Sequence, residues 1–250
     1  MRIAILAPLK RELSLDTKGG RPRIVYNLAQ GLVANGHQVT GFGTGDSRIS
    51  GKLIPVIPKA LFHLPPVEND FYRHTTALFH MMELLKERRE DFDVIHNHLY
   101  PETLPLLFSE GTNMLTTIHT QMTTDLGEFL SHYPKTYFAP ISNRQKEFYP
   151  GLNYTQTIYN GIDENAFAFS DKQGEYLLFV GRIKEGDPKG VTNAIRVAKA
   201  ARLPLKIVGN VESRQFFDRE IAPHLGQTIQ FIGDPRSAEG SLTLAERVKI

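Results

Sequence analysis

Residues 176–190 read YLLFVGRIKEGDPKG. The segment opens on a short continuous apolar run, 177–180, the pattern of a strand buried on both faces. Gly181 lets the chain turn at the carboxyl end of that strand, and Arg182 follows. Lys189 and Gly190 then stand just before an amphipathic helix, 191–201, with apolar positions at Val191, Ile195, Ala198 and Ala201. A strand that delivers an arginine and a lysine to a helix entrance suits a diphosphate. The helix dipole and free N–H groups favour anions there, and both cations can form charge-assisted hydrogen bonds. An ordinary strand–loop–helix with two solvated cations is the competing reading of the same residues.

Downstream the pattern continues as strand 205–208, helix 213–225 and strand 228–232, an alternation that implies a parallel, doubly wound sheet. Gly209 and Asn210 close a strand where a nucleotide could lie, and a simple turn fits them equally well. Upstream, 1–8 reads as a buried parallel strand, followed by a loop and then Gly19-Gly20. Residues 21–35 form a helical pattern with Ile24, Leu28 and Leu32 on one side, ended by Gly36; Pro22 suits its first turn because it has no N–H to waste. The paired glycines would let backbone approach a phosphate at this helix entrance, or would form a plain turn. No G-x-G-x-x-G is present, so a dinucleotide fingerprint is not supported.

Strands follow at 38–44 and 52–58, the second short or at an edge because of its prolines. Helix 70–89 carries Phe71, Thr75, Leu78, Met82 and Leu85 on one face, and its basic end, Lys86, Arg88 and Arg89, reads as a solvated cap. Strands at 93–98, 116–119, 136–142 and 155–160, with a helix at 143–148, complete this half. His96 and His98 share one strand face at i, i+2 spacing with no carboxylate ligand pattern nearby, which favours supporting histidines over a metal site. His119 stands near a strand's carboxyl end, where open α/β sheets place their ligands. Gly161, with Asn160 beside it, is the natural hinge because glycine tolerates unusual dihedrals. The segment 167–175 has linker composition, which sets domains at 1–166 and 167–250.

The chain's 250 residues suggest one large domain or two small ones. Hydrophobic content of 41% and charged content of 22% are those of a soluble globular protein. The net charge of +2 is too small to imply nucleic acid or an anionic membrane as partner. There is no cysteine, which excludes disulfides, thiolate metal sites and a cysteine nucleophile. The apolar opening, 3–7, is too short for a signal peptide or a membrane span, so the expected address is the cytoplasm.

Five segments in order, GGRPRIVYNLAQGL (19–32), FDVIHNH (92–98), TTIHT (116–120), YNGID (159–163) and GRIKEGDPKG (181–190), resemble the motifs of family 4 retaining glycosyltransferases. The resemblance spans about residues 1–233. It implies an α/β architecture of the GT-B type, with one complete Rossmann-like domain on the acceptor side and the first half of a second parallel α/β domain for the nucleotide sugar. It implies transfer of a sugar from a nucleoside diphosphate to an acceptor hydroxyl, with no metal and no cofactor. On that likeness His119 lies beside the donor sugar. Gly19, Gly20, Arg182 and Lys189 stabilise the departing diphosphate, Gly181, Gly209 and Asn210 lie near the nucleotide, and Asn160-Gly161 precedes the crossing between domains. A nucleotide-sugar-binding module without turnover and a ligand-sensing two-lobed protein are the alternatives.

After Phe231-Ile232-Gly233 the chain departs from the family. A Glu, seven residues, Glu motif that contacts donor sugar and ribose is expected next. Glu239 and Glu246 are separated by one residue too few, and the flanking text is absent. The expectation is therefore a C-terminally truncated chain with little or no turnover, whose cut sheet would expose an edge and favour self-association.

Overall fold

Alternating apolar runs and helices sort the chain into two parallel sheets. The computed structural model describes residues 1–17, 19–99, 103–104, 113–163, 169, 171 and 174–233. The chain divides into two compact units, Met1–Ala168 and Phe169–Ile250. The expected boundary at 166, like Glu239 and Glu246, lies outside the described residues.

In the first unit, strands β1 (Arg2–Leu6), β2 (Gln38–Thr44), β3 (Lys52–Ile57), β4 (Val94–Asn97), β5 (Met114–Ile118) and β6 (Tyr137–Pro140) pair in parallel in the order β3-β2-β1-β4-β5-β6. β1 is central, and alternate residues serve opposite faces. Ile3, Ile5 and Ala7 pack with Val25 and Ala29 of helix α1 (Gly20–Ala34). Ala4 and Leu6 share a core with Ala77, Leu78 and Met81 of helix α2 (Asp70–Lys86). β3, with Pro55, is an edge strand as its proline requires. Helices α3 (Thr124–Ser131) and α4 (Asn143–Phe148) complete the described set. The strand order reverses between β1 and β4, which makes that gap the switch point of the sheet.

Three expectations are corrected here. Helix 70–89 stops at Lys86, followed by a tight turn at Arg89–Asp91, and its buried face is Ala77, Leu78, Met81, Met82 and Leu85. Phe71 sits in the first turn beyond the edge of that core and is 69% exposed. The segment 155–160 forms no strand. It runs beside β6 through one bridge, Phe138 to Tyr154, and the Thr155 and Ile158 N–H groups donate to Phe138 and Pro140 C=O, each at 2.9 Å.

In the second unit β7 (Leu177–Val180), β8 (Leu205–Val208) and β9 (Ile229–Gly233) pair in parallel in that order. Helices α5 (Val191–Ala201) and α6 (Arg214–Glu220) cover one face through Val191, Ile195, Ala198, Phe216 and Phe217. The expectation that 177–180 is buried on both faces is overturned. Among the described residues β7 is an edge strand; Leu177 and Phe179 turn to the core, while Leu178 and Val180 are 39% and 54% exposed. The expected helix 213–225 breaks after Glu220, because Pro223 cannot donate into a continuing helix and the chain tightens into a short turn, Ala222–His224. No described helix is long and apolar enough to cross a membrane.

Candidate active site

The carboxyl ends of β1, β4 and β5 converge at the switch point of the first sheet. The His98 N–H donates to Leu6 C=O at 3.1 Å, tying the end of β4 to the end of β1. Asn97, fully buried, points to the other side of the strand. Its Oδ1 accepts from the Leu99 N–H (3.0 Å) and its amide donates to Thr116 Oγ1 (3.2 Å), which fixes the exit of β4 against β5. Above these ends stands the N-terminus of α1, whose capping residue is Gly19 and which no side chain caps among the described residues. A methyl group on Gly19 would come within 2.9 Å of Arg11 Cδ and 3.0 Å of Pro22 Cδ, whereas Gly20 has open space. Arg21 and His119 line one small cavity, so α1's entrance and the end of β5 are brought together.

His119 belongs to a group of three imidazoles. His96 and His98 lie side by side with ring centres 4.0 Å apart and planes tilted by 38°, in keeping with their shared strand face, and His96 Nε2 lies 2.8 Å from Thr117 Oγ1. His98 Nδ1 lies 2.9 Å from His119 Nε2. Burial lowers all three: His96 and His119 to about 4, and His98, where His96, His119 and Arg21 add to the effect, well below its ordinary value. The site therefore carries neutral imidazoles at neutral pH. Gln145 supports the same corner from α4. It is buried, its Oε1 accepts from the Ile141 N–H (2.7 Å), and its amide donates to Ile118 C=O (3.0 Å) and Thr120 C=O (2.7 Å), bracketing His119.

In the second unit Gly181, Arg182, Gly209 and Asn210 meet at the carboxyl end of β7 and β8. A methyl group on Gly209 would collide with the Gly181 carbonyl oxygen, so close backbone approach dictates glycine there. The Gly181 N–H donates to Val208 C=O (3.0 Å) and the Ile183 N–H to Asn210 C=O (2.8 Å), extending the pairing past both strands. Glu212 gathers the polar side chains: its Oε1 accepts from Asn210 Nδ2 (3.2 Å) and lies 3.7 Å from Arg182 Nη1. Arg182 remains 53% exposed, and Lys189 is exposed in the turn before α5.

One expectation about this end is corrected. The entrance of α5 is not open to an anion, because Asp187 already fills it. Its carboxylate accepts from the Val191 N–H (2.8 Å), the Thr192 N–H (3.0 Å) and the Thr192 hydroxyl (2.6 Å). Asp187 reaches this position from a left-handed backbone, φ 44°, and Gly190 at φ 77° completes the turn. Among the described residues the helix entrance without a side-chain acceptor is α1's and not α5's. Asn160 and Gly161 are exposed and outside regular structure, and positive φ occurs at Gly36, Gly186, Gly190 and Gly233 among the described glycines; nothing in this conformation demands glycine at 161.

Arg21, Gln145, Asp187 and Glu212 carry no motif at the level of sequence that assigns these roles, whereas His98 is legible as a supporting histidine from its i, i+2 spacing to His96. The nearest signals are Arg21's place after two glycines and the Asp-Pro step before Lys189. Apart from this site, Glu12, Asp46 and His63 place ligand-type atoms within 4.8 Å of one another. The imidazole there lies edge-on between the carboxylates, 3.1 Å from Asp46 and 3.5 Å from Glu12.

Two parallel α/β units of Rossmann-like arrangement define the class of proteins with a GT-B fold. The model of Glycosyltransferase Family 4 matches residues 18–166, more than half of the chain, and the chain belongs to that family. No curated protein sequence matches it. Among solved structures it is similar to AviGT4, a glycosyltransferase involved in Avilamycin A biosynthesis, at 22% identity and a TM-score of 0.63, over 93% of this chain and 63% of that one. It is also similar to Anabaena Alr3699/HepE in complex with UDP, at 12% identity and a TM-score of 0.59, over 94% and 69%. A third similar structure, "Trehalose-6-phosphate from E. coli bound with UDP-2-fluoro glucose", stands at 10% identity and a TM-score of 0.56, over 96% and 75%. At these identities the likeness is one of fold. The chain spans 63% of the length of AviGT4.

Proposed function

We propose that the protein binds a nucleoside diphosphate sugar and transfers the sugar to a hydroxyl acceptor with retention of anomeric configuration. The observation that carries this reading is the uncapped entrance of α1 beside a neutral histidine at the switch point of the first sheet. Such an entrance favours an anion, and a neutral imidazole can hydrogen-bond a sugar hydroxyl without adding charge. Arg182 and Lys189 supply the cations for the diphosphate, and the exposed pairing of Arg182 with Glu212 is weak enough to be exchanged for phosphate oxygens. Gly181, Gly209 and Asn210, at the carboxyl ends of β7 and β8, are the positions this reading gives to the nucleotide. Family membership supports the reaction class, and the Anabaena relative was solved with UDP.

In the reaction the bond from the anomeric carbon to the diphosphate oxygen breaks as the acceptor oxygen bonds to that carbon. The acceptor's proton passes to the departing diphosphate. Catalysis rests on stabilising that leaving group, and the reading assigns no covalent nucleophile, metal or cofactor. The test is calorimetry with UDP and UDP-glucose, followed by assay of transfer and product anomer. Each charge-assisted bond contributes about 1.5–3 kcal/mol, so Arg182→Ala and Lys189→Ala are expected to weaken UDP at least about tenfold. His119→Ala is expected to weaken UDP-glucose and spare UDP. No binding of either nucleotide would overturn the reading, and binding without transfer would reduce it to a nucleotide-sugar-binding module.

A further inference from the structure

His98 has no part in the reaction above, yet it is among the most constrained titratable side chains of the first unit. It is 1% exposed, its Nδ1 faces His119 Nε2 at 2.9 Å, and its Nε2 is buried with no hydrogen-bond partner among the described residues. We infer that His98 is a positioning residue that holds His119 in a single tautomer, leaving Nδ1–H as that ring's only donor for a bound sugar.

A neutral imidazole has one N–H donor and one bare acceptor nitrogen. Burial keeps all three rings neutral, so a single proton lies between His98 Nδ1 and His119 Nε2. Were His119 to supply it, His98 would carry its own proton on Nε2, leaving a buried N–H with nothing among the described residues to bond. When His98 supplies it, its Nε2 is a bare acceptor instead. Orphaned buried N–H groups are rarer than under-satisfied acceptors, so the proton belongs to His98. His119 Nε2 is then an acceptor and its proton resides on Nδ1. The partner of one ring nitrogen decides what the other can do.

The surroundings hold His98 to this task. Its backbone N–H is bonded to Leu6 C=O, and the ring of His96 lies against its own with centres 4.0 Å apart. His96 is in turn fixed by Thr117 Oγ1 at 2.8 Å. His119 itself is less buried and lines the cavity shared with Arg21. The two rings thus divide the work, one locked in the interior and one available to a ligand.

The assignment of the sugar contact rests on the proposed function, whereas the tautomer exists with or without ligand. The experiment is a two-bond proton–nitrogen correlation spectrum of the full chain labelled with ¹⁵N-histidine, assigned with His96→Gln and His119→Gln. The expected result is His119 protonated on Nδ1 and bare on Nε2 in the wild type. His98→Asn, whose amide can donate in place of Nδ1–H, keeps that tautomer, and His98→Leu moves the proton to Nε2. In calorimetry His98→Leu weakens UDP-glucose about threefold to tenfold, the scale of one neutral hydrogen bond, His98→Asn restores it, and UDP binds all three alike.

A wild-type His119 protonated on Nε2 overturns the inference, as does a His98→Leu variant that shifts the tautomer without changing UDP-glucose affinity. Should the leucine variant fail to fold, the wild-type spectrum alone decides. If the tautomer is as inferred and neither nucleotide binds, the proposed function fails and the His98–His119 assignment stands.

Discussion

A buried imidazole that stays neutral while its unfolded counterpart titrates ties stability to pH. His96 and His119 have folded pKa values of about 4, against about 6.5 in an unfolded chain. The unfolded state therefore binds more protons between these values. The stabilising effect is complete above about pH 6.5 and is lost as pH falls towards 4. Each buried ring is expected to cost on the order of 1–2 kcal/mol between pH 6.5 and 5. Urea midpoints at the two pH values measure this, and His96→Gln should shrink the difference by about one ring's share; an unchanged difference would show that His96 is not the titrating group. Gly209 offers a steric test at the same scale. Its added methyl meets the backbone of Gly181, a clash that no rotamer change relieves, so Gly209→Ala should destabilise by about 1–3 kcal/mol or more. A urea midpoint equal to wild type would contradict so close an approach of the two glycines.

At the scale of elements, the two helix entrances expected to hold anions differ in chemistry. α1 begins at Gly20 without a side-chain cap among the described residues, whereas α5 is closed by Asp187. Replacing a capping aspartate by alanine costs about 1 kcal/mol, within a range of 0.5–2. Asp187→Ala is therefore expected to lower stability by about that amount. Asp187→Asn should come close to wild type, because its amide oxygen can still accept and asparagine tolerates the left-handed backbone. Chemical unfolding of both variants checks this, and equal losses would deny the capping role. The sequence pattern located α5 to the residue but could not say that its N–H groups were occupied. That outcome depends on a turn folding back four residues, which no periodicity encodes. The same limit explains β7: its apolar run is what a doubly buried strand would show, and its place at a sheet edge is a matter of pairing order.

At the scale of the whole molecule, among the described residues the first unit holds a six-stranded sheet with apolar clusters on both faces, and the second holds three strands with one cluster. Small units bury a smaller fraction of their surface and are correspondingly less stable. Hydrogen exchange followed by mass spectrometry is expected to show the amides of β8 exchanging before those of β1, even though both are central strands. Slower exchange in β8 would reverse that order of stability.

The linear order of residues was enough to determine the alternation of strands and helices and the parallel sheets, and to single out candidate residues at their ends. Hydrophobic period, glycine and proline placement, and charge are local properties, and they marked His119, Gly181, Arg182, Lys189 and Gly209 individually. Tertiary structure alone decided the pairing order β3-β2-β1-β4-β5-β6 and hence the switch point where His98 and His119 meet. It alone decided that Asp187 closes one helix entrance while the other stays uncapped, and that Glu212 joins Arg182 to Asn210. The physical reason is that these contacts form between residues distant in sequence or through side-chain rotamers. Their energies depend on burial and on the direction of individual hydrogen bonds, neither of which is defined until the chain has folded.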